Sequence, residues 1–191
     1  MIKLLTFYFS VILFCFNLQA DTTDSKWKNI VEVTTTGDQC VDDKNCFNRY
    51  HPKIKPVAKA NEGDIIILHT RDALDSNYNL DSIADDVPTI NLGDVHPMTG
   101  PVHVKREKRG DALEVELLDI VPDEYGYTVI VPGFGFLRDL FPNPHIVNWQ
   151  LTRVGAVSKD MPGITVPYEA FPGSIGVLPG QKEVEMWKER E

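Results

Sequence analysis

The fold is decided by residues 94–142, which read DVHPMTGPVHVKREKRGDALEVELLDIVPDEYGYTVIVPGFGFLRDLFP. Two short runs rich in Val and Ile, Pro101–Lys105 and Tyr127–Val131, lie among glycines, prolines and aspartates. This is the pattern of short strands joined by turns. Between them, Ala112–Ile120 alternates apolar and acidic residues, which predicts a strand with one face in water.

Similar runs occur on both sides of this stretch. The run Ile65–Leu68 is continuously apolar, so we expect a central strand that is buried on both faces. A helical pattern occurs only in Gln181–Glu191. We therefore predict an all-β fold, an antiparallel β-sandwich or jelly-roll-like architecture with a short C-terminal helix. The remaining predicted strands are Asn29–Thr36, Asp64–Thr70, His145–Leu151 and Gly163–Val166.

Two predicted strands begin with the same Gly-Asp turn. Glu62-Gly63-Asp64 precedes Ile65, and Arg109-Gly110-Asp111 precedes Ala112. Glycine supplies the unusual backbone angles of a tight turn, and the aspartate side chain bonds the amides of that turn. This device indicates β-structure and says nothing about function.

The composition is that of an ordinary globular protein. The chain has 191 residues, of which 42% are hydrophobic and 25% charged, and its net charge is −9. The length suits one domain or at most two small ones. Because the phosphate backbone would meet a repulsive surface, we expect no nucleic-acid partner.

The N-terminus is predicted to be a secretory signal. Lys3 is followed by 13 mostly apolar residues, Leu4–Phe16, and Ala20 provides a small residue for cleavage. The apolar run is too short to span a membrane, so we expect no stable membrane insertion after cleavage. We divide the chain into a signal peptide (1–20), a polar segment (21–48) and a β domain (49–191), and we expect a periplasmic or secreted protein.

Export would place Cys40 and Cys46 in an oxidising compartment. Five polar or small residues separate them, and a local disulfide is the favoured interpretation. A metal pair is the weaker one, because no second cluster of Cys or His nearby completes a tetrahedral set.

A candidate metal or catalytic cluster combines Asp72, Asp94 and His96. Side chains two residues apart in an extended segment point the same way, and Pro97 is expected to hold His96 extended. The three could form a catalytic cluster or bind a divalent metal, zinc or calcium, and Asp94 with His96 could act as an acid–base pair. The equally common alternative has Asp94 capping a turn and His96 bonded to backbone. No Gly-x-Ser-x-Gly motif is present, so a hydrolase would depend on an activated water.

Gly133-Phe134-Gly135 is not a dinucleotide-binding motif, because no βαβ unit surrounds it. We interpret it as a loop whose backbone closely approaches a ligand or another segment. The large apolar residues around it are expected to form core or pocket wall, with core favoured. They are Phe134, Phe136, Leu137, Leu140 and Phe141.

Several motifs in the same order resemble the acetamidase/formamidase family. They extend over about two thirds of the chain, from Arg49 to Pro179, and together they are specific. The motifs are Asn61–Asp64, His69–Ala73, His96–Val102, Arg109–Val115, Pro132–Gly135 and Pro167–Val177.

The resemblance implies an all-β fold and hydrolysis of formamide or acetamide to ammonia and a carboxylate. It implies that Asp72, Asp94 and His96 hold water or a metal, while Thr99 and the backbone at Gly133 and Gly135 shape the substrate pocket. Family members are longer and have a second half with a Gly-Asp-x-His motif, which this sequence lacks. The alternatives are therefore a non-catalytic ligand- or metal-binding β-sandwich, and one half of a split amidase. The expected partners are a small amide and either further copies of the chain or a chain that supplies the missing half.

Overall fold

The computed structural model describes residues 29–190, and most of its regular structure is strand. One helix, α1 (Gln181–Lys188), lies at the predicted C-terminal position. Short 3₁₀ helices occupy Cys40–Asp42 and Ala84–Thr89. The strands are β1 (Ile30–Val33), β2 (Cys46–Phe47), β3 (Ala58–Ala60), β4 (Ile65–Leu68), β5 (Met98–Thr99), β6 (Val102–Val104), β7 (Tyr125–Ile130), β8 (His145–Thr152), β9 (Gly155–Val157) and β10 (Thr165–Pro167).

The strands form four small sheets. The largest is antiparallel in the order β10-β9-β8-β7, and β2 pairs with β5 in the same sense. The other two sheets, β1-β4 and β3-β6, are parallel pairs. The expectation of an antiparallel fold is therefore wrong for these two pairs, while the predominance of strand with a short C-terminal helix is confirmed. Two packed layers of a sandwich or jelly roll stay a prediction.

The core is small and lies against the largest sheet. Three of its buried residues, Tyr78, Val87 and Ile146, form a cluster. The Tyr78 ring meets the Tyr127 ring edge to face, with centroids 5.0 Å apart. The Tyr125 hydroxyl donates to the Tyr78 carbonyl over 2.8 Å. The partly buried residues packed around this core are Leu74, Ile90, Tyr127, Val129 and Val131.

The two Gly-Asp turns have the predicted geometry. Gly63 and Gly110 adopt positive φ values of 82° and 100°, which glycine tolerates best. The Asp64 carboxylate accepts the Asn61 amide at 2.7 Å, and the Asp111 carboxylate accepts the Lys108 amide at 2.8 Å. Only the first turn leads into a strand.

Two strand predictions are wrong. Ala112–Ile120 has no regular structure, and Leu113, Val115 and Leu117 are about half exposed. In β4 the apolar side chains are not buried on both faces, because Ile67 is 41% and Leu68 42% exposed. A strand needs a neighbour for its backbone and a layer for its side chains. Within residues 29–190, β4 pairs with β1 alone, and no strand pairs with Ala112–Ile120.

The predicted signal peptide, residues 1–20, lies outside the described residues. Within 29–190, no helix is long and apolar enough to cross a membrane. The structure contains the disulfide between Cys40 and Cys46. Contacts cross the proposed boundary at residue 48, because β1 pairs with β4 and the Cys40 amide donates to the Asp75 carboxylate over 2.7 Å.

Candidate active site

An imidazole and a carboxylate meet where the parallel pair β1-β4 ends. The His69 amide continues the ladder by donating to the Val33 carbonyl over 3.0 Å. The ring Nε2 of His69 lies 2.7 Å from Glu32 Oε1, and both side chains are about half exposed. The Thr99 hydroxyl donates to the His69 carbonyl over 2.9 Å, which fixes the backbone behind the ring. A solvent-accessible carboxylate–imidazole pair of this kind can move protons.

The tautomer of His69 follows from its partner. An ionised carboxylate only accepts hydrogen bonds, so Glu32 favours the proton on Nε2. Nδ1 is then the ring atom that can accept a proton from water or substrate. We define Glu32 and His69 as the acid–base pair.

The Asp72 side chain is hydrogen-bonded to the turn that follows His69. Its carboxylate accepts the Leu74 amide at 2.9 Å and the Ser76 amide at 2.6 Å. The same carboxylate accepts the Tyr127 hydroxyl, which ties the turn to β7. Three donors already occupy Asp72, so the structure gives it a positioning role near His69.

The phenol of Tyr127 is strongly perturbed. Burial, together with the hydrogen bond to Asp72 and its negative charge, raises the pKa of Tyr127 far above its ordinary value. Burial is also the largest cause that raises the pKa of Tyr78 and that of Tyr125. The three phenols stay protonated at neutral pH and act as hydrogen-bond donors.

This raised pKa predicts alkaline destabilisation. Because the pKa of Tyr127 is higher in the folded than in the unfolded chain, its contribution is complete below pH ~10 and is lost above it. We expect the free energy of unfolding to fall above pH 10, with this residue adding up to about 1.4 kcal/mol per pH unit. Urea unfolding between pH 8 and 11 measures the decline, which should be shallower in Tyr127→Phe and unchanged in Tyr50→Phe. Equal slopes in both variants would contradict the assignment.

Arg71 joins the turn to the disulfide loop, residues 36–46. Its side chain is 5% exposed, and its guanidinium lies 2.8 Å from Asp43 and 3.4 Å from Asp75. It also donates to the carbonyls of Gly37 and Asp38, the latter over 2.7 Å. The segment that carries His69 and Asp72 is thereby fixed to the loop closed by Cys40 and Cys46.

Asp43 is ionised by its hydrogen bonds. Burial by itself would raise the pKa of Asp43, but donation from Thr36 and Arg71 outweighs it and holds the pKa well below its usual range. The Thr36 hydroxyl donates to Asp43 over 2.6 Å and the Asn45 amide over 2.8 Å. The buried positive charge of Arg71 therefore faces a fixed negative one.

The structure corrects the assignment of Asp94 and His96. The Asp94 carboxylate accepts the Asn91 side-chain amide at 2.8 Å, and the Asp94 amide donates to the Asn91 carbonyl over 3.1 Å. Asp94 thus closes a turn, as the alternative interpretation held. His96 is not extended before Pro97 but has a φ of 36°, in the left-handed region.

The predicted metal cluster is not assembled. Within residues 29–190, no three side chains of His, Cys, Asp or Glu form a group that could hold a metal ion. Asp72 and Asp94 are each bound to their own turn, and the changed backbone at His96 removes the two-residue alignment with Asp94. The described residues do not by themselves fit a zinc or calcium site.

The three predicted substrate-binding residues do not all lie near the acid–base pair. Thr99 lies beside the acid–base pair through its bond to His69. Gly133 and Gly135 have φ values of 78° and 87°, and a Cβ added to either would meet no atom of the described chain within 4 Å. Within residues 29–190, no other segment closely approaches these glycines, and the approach to a ligand stays a prediction. The turn geometry, rather than crowding, requires glycine there.

Within the described residues, the apolar side chains around these glycines form neither core nor pocket wall. Their side chains are exposed by 53% or more. A shallow depression elsewhere is lined by residues 121–124 and 151–153, none of them a predicted site residue. Its cation Arg153 is already held by two bonds to Asp119, at 3.0 and 3.1 Å.

Sequence reasoning missed Glu32 and Arg71. Glu32 lies in a predicted strand, but its partnership with His69 depends on the parallel pairing of β1 with β4, which no local pattern encodes. Arg71 lies inside the motif His69–Ala73, next to the candidate Asp72. An arginine three residues after the apolar run Ile65–Leu68 was the available signal, because such a cation must find partners where it is buried.

Comparison with known proteins agrees with the motifs. The family model described as acetamidase/formamidase matches residues 32–191. The chain belongs to the acetamidase/formamidase family. An acetamidase of Mycolicibacterium smegmatis is 29% identical over 157 residues, and a formamidase of Methylophilus methylotrophus is 28% identical over 170. These matches cover 75% and 86% of this chain but 39% and 42% of the relatives.

A solved relative shares the fold. The gamma lactamase from Delftia acidovorans superposes with a TM-score of 0.77 at 31% identity. The match covers 86% of this chain and 42% of the gamma lactamase. The chain thus spans about two fifths of the length of the curated relatives and of this solved structure.

Proposed function

We propose that this protein hydrolyses the carbon–nitrogen bond of short linear amides such as formamide and acetamide. The observation that carries the proposal is the family match over residues 32–191. Relatives named acetamidase and formamidase support the choice of substrate class. The products would be ammonia and a carboxylate.

The acid–base pair suits this chemistry. A water molecule loses a proton to His69 Nδ1 while its oxygen bonds to the amide carbon, and Glu32 stabilises the imidazolium that forms. His69 then gives the proton to the nitrogen as the carbon–nitrogen bond breaks, which releases ammonia. Arg71 and Asp72 keep the segment that carries the imidazole in place.

We further propose that the protein acts outside the cytoplasm, in the periplasm or as a secreted protein. The disulfide between Cys40 and Cys46 supports this location, because such bonds persist in oxidising compartments. The predicted signal sequence at residues 1–20 is consistent with it.

Ammonia release tests the proposal. The purified protein is incubated with formamide, acetamide and propionamide, with and without added divalent metal, and ammonia is quantified. We expect release that falls as the amide is lengthened. A folded sample that releases none from any of the three, under either condition, would contradict the proposed activity of this chain.

A second candidate follows from the length comparison. Because the chain spans about two fifths of its relatives, it could bind a small amide without hydrolysing it, or hydrolyse it only with the remainder of the fold. Saturable binding of acetamide in calorimetry, without ammonia release, would favour binding over catalysis. Release that begins only on adding a second polypeptide would identify a split amidase.

A further inference from the structure

The disulfide loop, residues 36–46, contacts the strand that carries Glu32. Two residues after Glu32, the Thr34 carbonyl accepts the Asn45 side-chain amide over 2.8 Å. Thr34 directly follows the last residue of β1. The disulfide loop therefore fixes the backbone at the end of the strand from which the Glu32 carboxylate reaches the imidazole.

The same loop contacts the segment that follows His69. The Arg71 guanidinium lies 2.8 Å from the Asp43 carboxylate, and the Asp75 carboxylate accepts the Cys40 amide over 2.7 Å. Both carboxylates are buried, so water does not readily replace these contacts if they are lost. The first cysteine of the disulfide is thus part of one connection between the loop and His69.

A second connection reaches His69 from the other end of the loop. Cys46 in β2 pairs with Thr99 in β5, and the Asn45 carbonyl accepts the Gly100 amide over 2.9 Å. The Thr99 hydroxyl in turn donates to the His69 carbonyl. The two cysteines lie on separate connections to His69, and the disulfide joins them, with the Cα atoms of the cysteines 5.2 Å apart.

The geometry of the acid–base pair depends on these connections. A hydrogen bond or ion pair between half-exposed side chains contributes little by itself, because water competes for each partner. The 2.7 Å separation of Glu32 and His69 is therefore set mainly by the positions of the two backbones. A change in the disulfide loop would alter both positions.

We propose that the Cys40–Cys46 disulfide is a redox-sensitive element that keeps Glu32 and His69 at hydrogen-bond distance, so that hydrolysis is fast only while the disulfide is oxidised. The inference rests on the proposed function for the reaction and adds the regulation of the same site. Because only five residues separate the cysteines, the cross-link restricts the unfolded chain comparatively little. Reduction is therefore expected to loosen the site and to leave the rest of the fold in place.

A dithiol is the class of reductant that this disulfide requires. The thiolate of the dithiol attacks one sulfur of the bond and forms a mixed disulfide, and its second thiol then displaces the other protein sulfur. Two electrons and two protons pass to the protein, which gains thiols at Cys40 and Cys46, while the reductant becomes a cyclic disulfide. Both cysteines are partly exposed, so a small dithiol can reach them.

The rates of formamide hydrolysis by the oxidised and the reduced protein test the proposal. The chain has three cysteines, so all samples carry Cys15→Ser and only the pair can react. Dithiothreitol reduces the disulfide, and oxidised glutathione restores it after the dithiothreitol is removed. We expect kcat to fall at least tenfold on reduction and to recover on re-oxidation, with KM changed less than twofold. The variant Cys40→Ser/Cys46→Ser should have the low kcat with or without dithiothreitol.

Amide hydrogen exchange tests the positioning without any turnover. The His69 amide donates to the Val33 carbonyl at the end of the parallel pair β1-β4. The matched control is the Lys105 amide, which donates to the Ala60 carbonyl over 2.8 Å at the end of the other parallel pair, β3-β6. We expect exchange at His69 to become at least tenfold faster on reduction, and exchange at Lys105 to stay within twofold.

The two measurements together separate this proposal from the proposed function. Equal kcat in the oxidised and reduced folded protein, or unchanged exchange at His69, would overturn the redox proposal. Faster exchange at both amides would also overturn it, because the disulfide would then stabilise the whole fold rather than the acid–base pair. If neither form releases ammonia but exchange rises at His69 alone, the proposed amidase fails and the positioning by the disulfide stands.

Discussion

Replacing His69 by alanine should lower ammonia release from formamide by at least about 100-fold, because a positioned general base contributes that much or more. In the proposed mechanism the imidazole both takes the proton from water and returns it to the amide nitrogen. We expect the loss in kcat, with KM changed little, because the ring acts on the transferred proton and not on amide binding. Initial rates over a range of formamide concentrations measure both.

Three further variants are compared with His69→Ala. Glu32→Gln should retain intermediate activity, since the amide keeps a hydrogen bond to the ring but loses the charge that stabilises imidazolium. His96→Ala and His103→Ala should stay within about threefold of the unmodified protein, as expected for side chains outside the reacting groups. The opposite order, with His96 essential and His69 dispensable, would restore the cluster first inferred from the sequence.

Local signals in the sequence predicted the local structure well. Six of the seven predicted strand runs contain a strand, and the helix begins at Gln181 as expected. The Gly63 and Gly110 turns have the inferred angles and amide bonds. These features depend on neighbours within a few residues, and such interactions are written directly in the sequence.

Features that depend on distant partners were missed. Glu32 and His69 are 37 residues apart, and a parallel pairing brings them together. The alternation in Ala112–Ile120 is real, but a strand forms only where another strand receives its backbone. The sequence indicates that a segment can pair as a β-strand, but whether the strand forms depends on a neighbouring strand that pairs with it.

The candidate chemistry failed for a related reason. Asp72 and Asp94 have the residue type of ligands and catalysts, but aspartate is also the residue that most readily bonds nearby amides. Both carboxylates accept hydrogen bonds from residues of their own turns. Glu32, which is separated from its own backbone by a longer side chain, was left to reach across to the imidazole.

Replacing Arg71 by methionine should reduce the free energy of unfolding by about 3–5 kcal/mol, the cost of leaving buried carboxylates without their cation. Asp43 and Asp75 are 5% and 3% exposed, so water cannot replace the guanidinium. The carbonyls of Gly37 and Asp38 would lose their donor in the same step. Urea unfolding of the disulfide-intact protein at pH 7 measures the loss.

An exposed pair of the same kind is the matched control. Arg153 binds Asp119 by two hydrogen bonds, but both side chains are more than half exposed. Water solvates each charge when the other is removed, so Arg153→Met should leave the unfolding midpoint almost unchanged. Equal losses in the two methionine variants would mean that burial does not determine the contribution of Arg71.

Neutralising the two buried carboxylates should restore much of the lost free energy of unfolding. In the triple variant Arg71→Met/Asp43→Asn/Asp75→Asn, no buried carboxylate lacks a cation, and the asparagine oxygens still accept the Asn45 and Cys40 amides. We expect it to be more stable than Arg71→Met alone, because the uncompensated charge is the main penalty. If the triple variant is less stable instead, the loss comes from the hydrogen bonds that fix the disulfide loop to the segment carrying His69. Arg71 would then hold the acid–base pair in place by geometry rather than by charge.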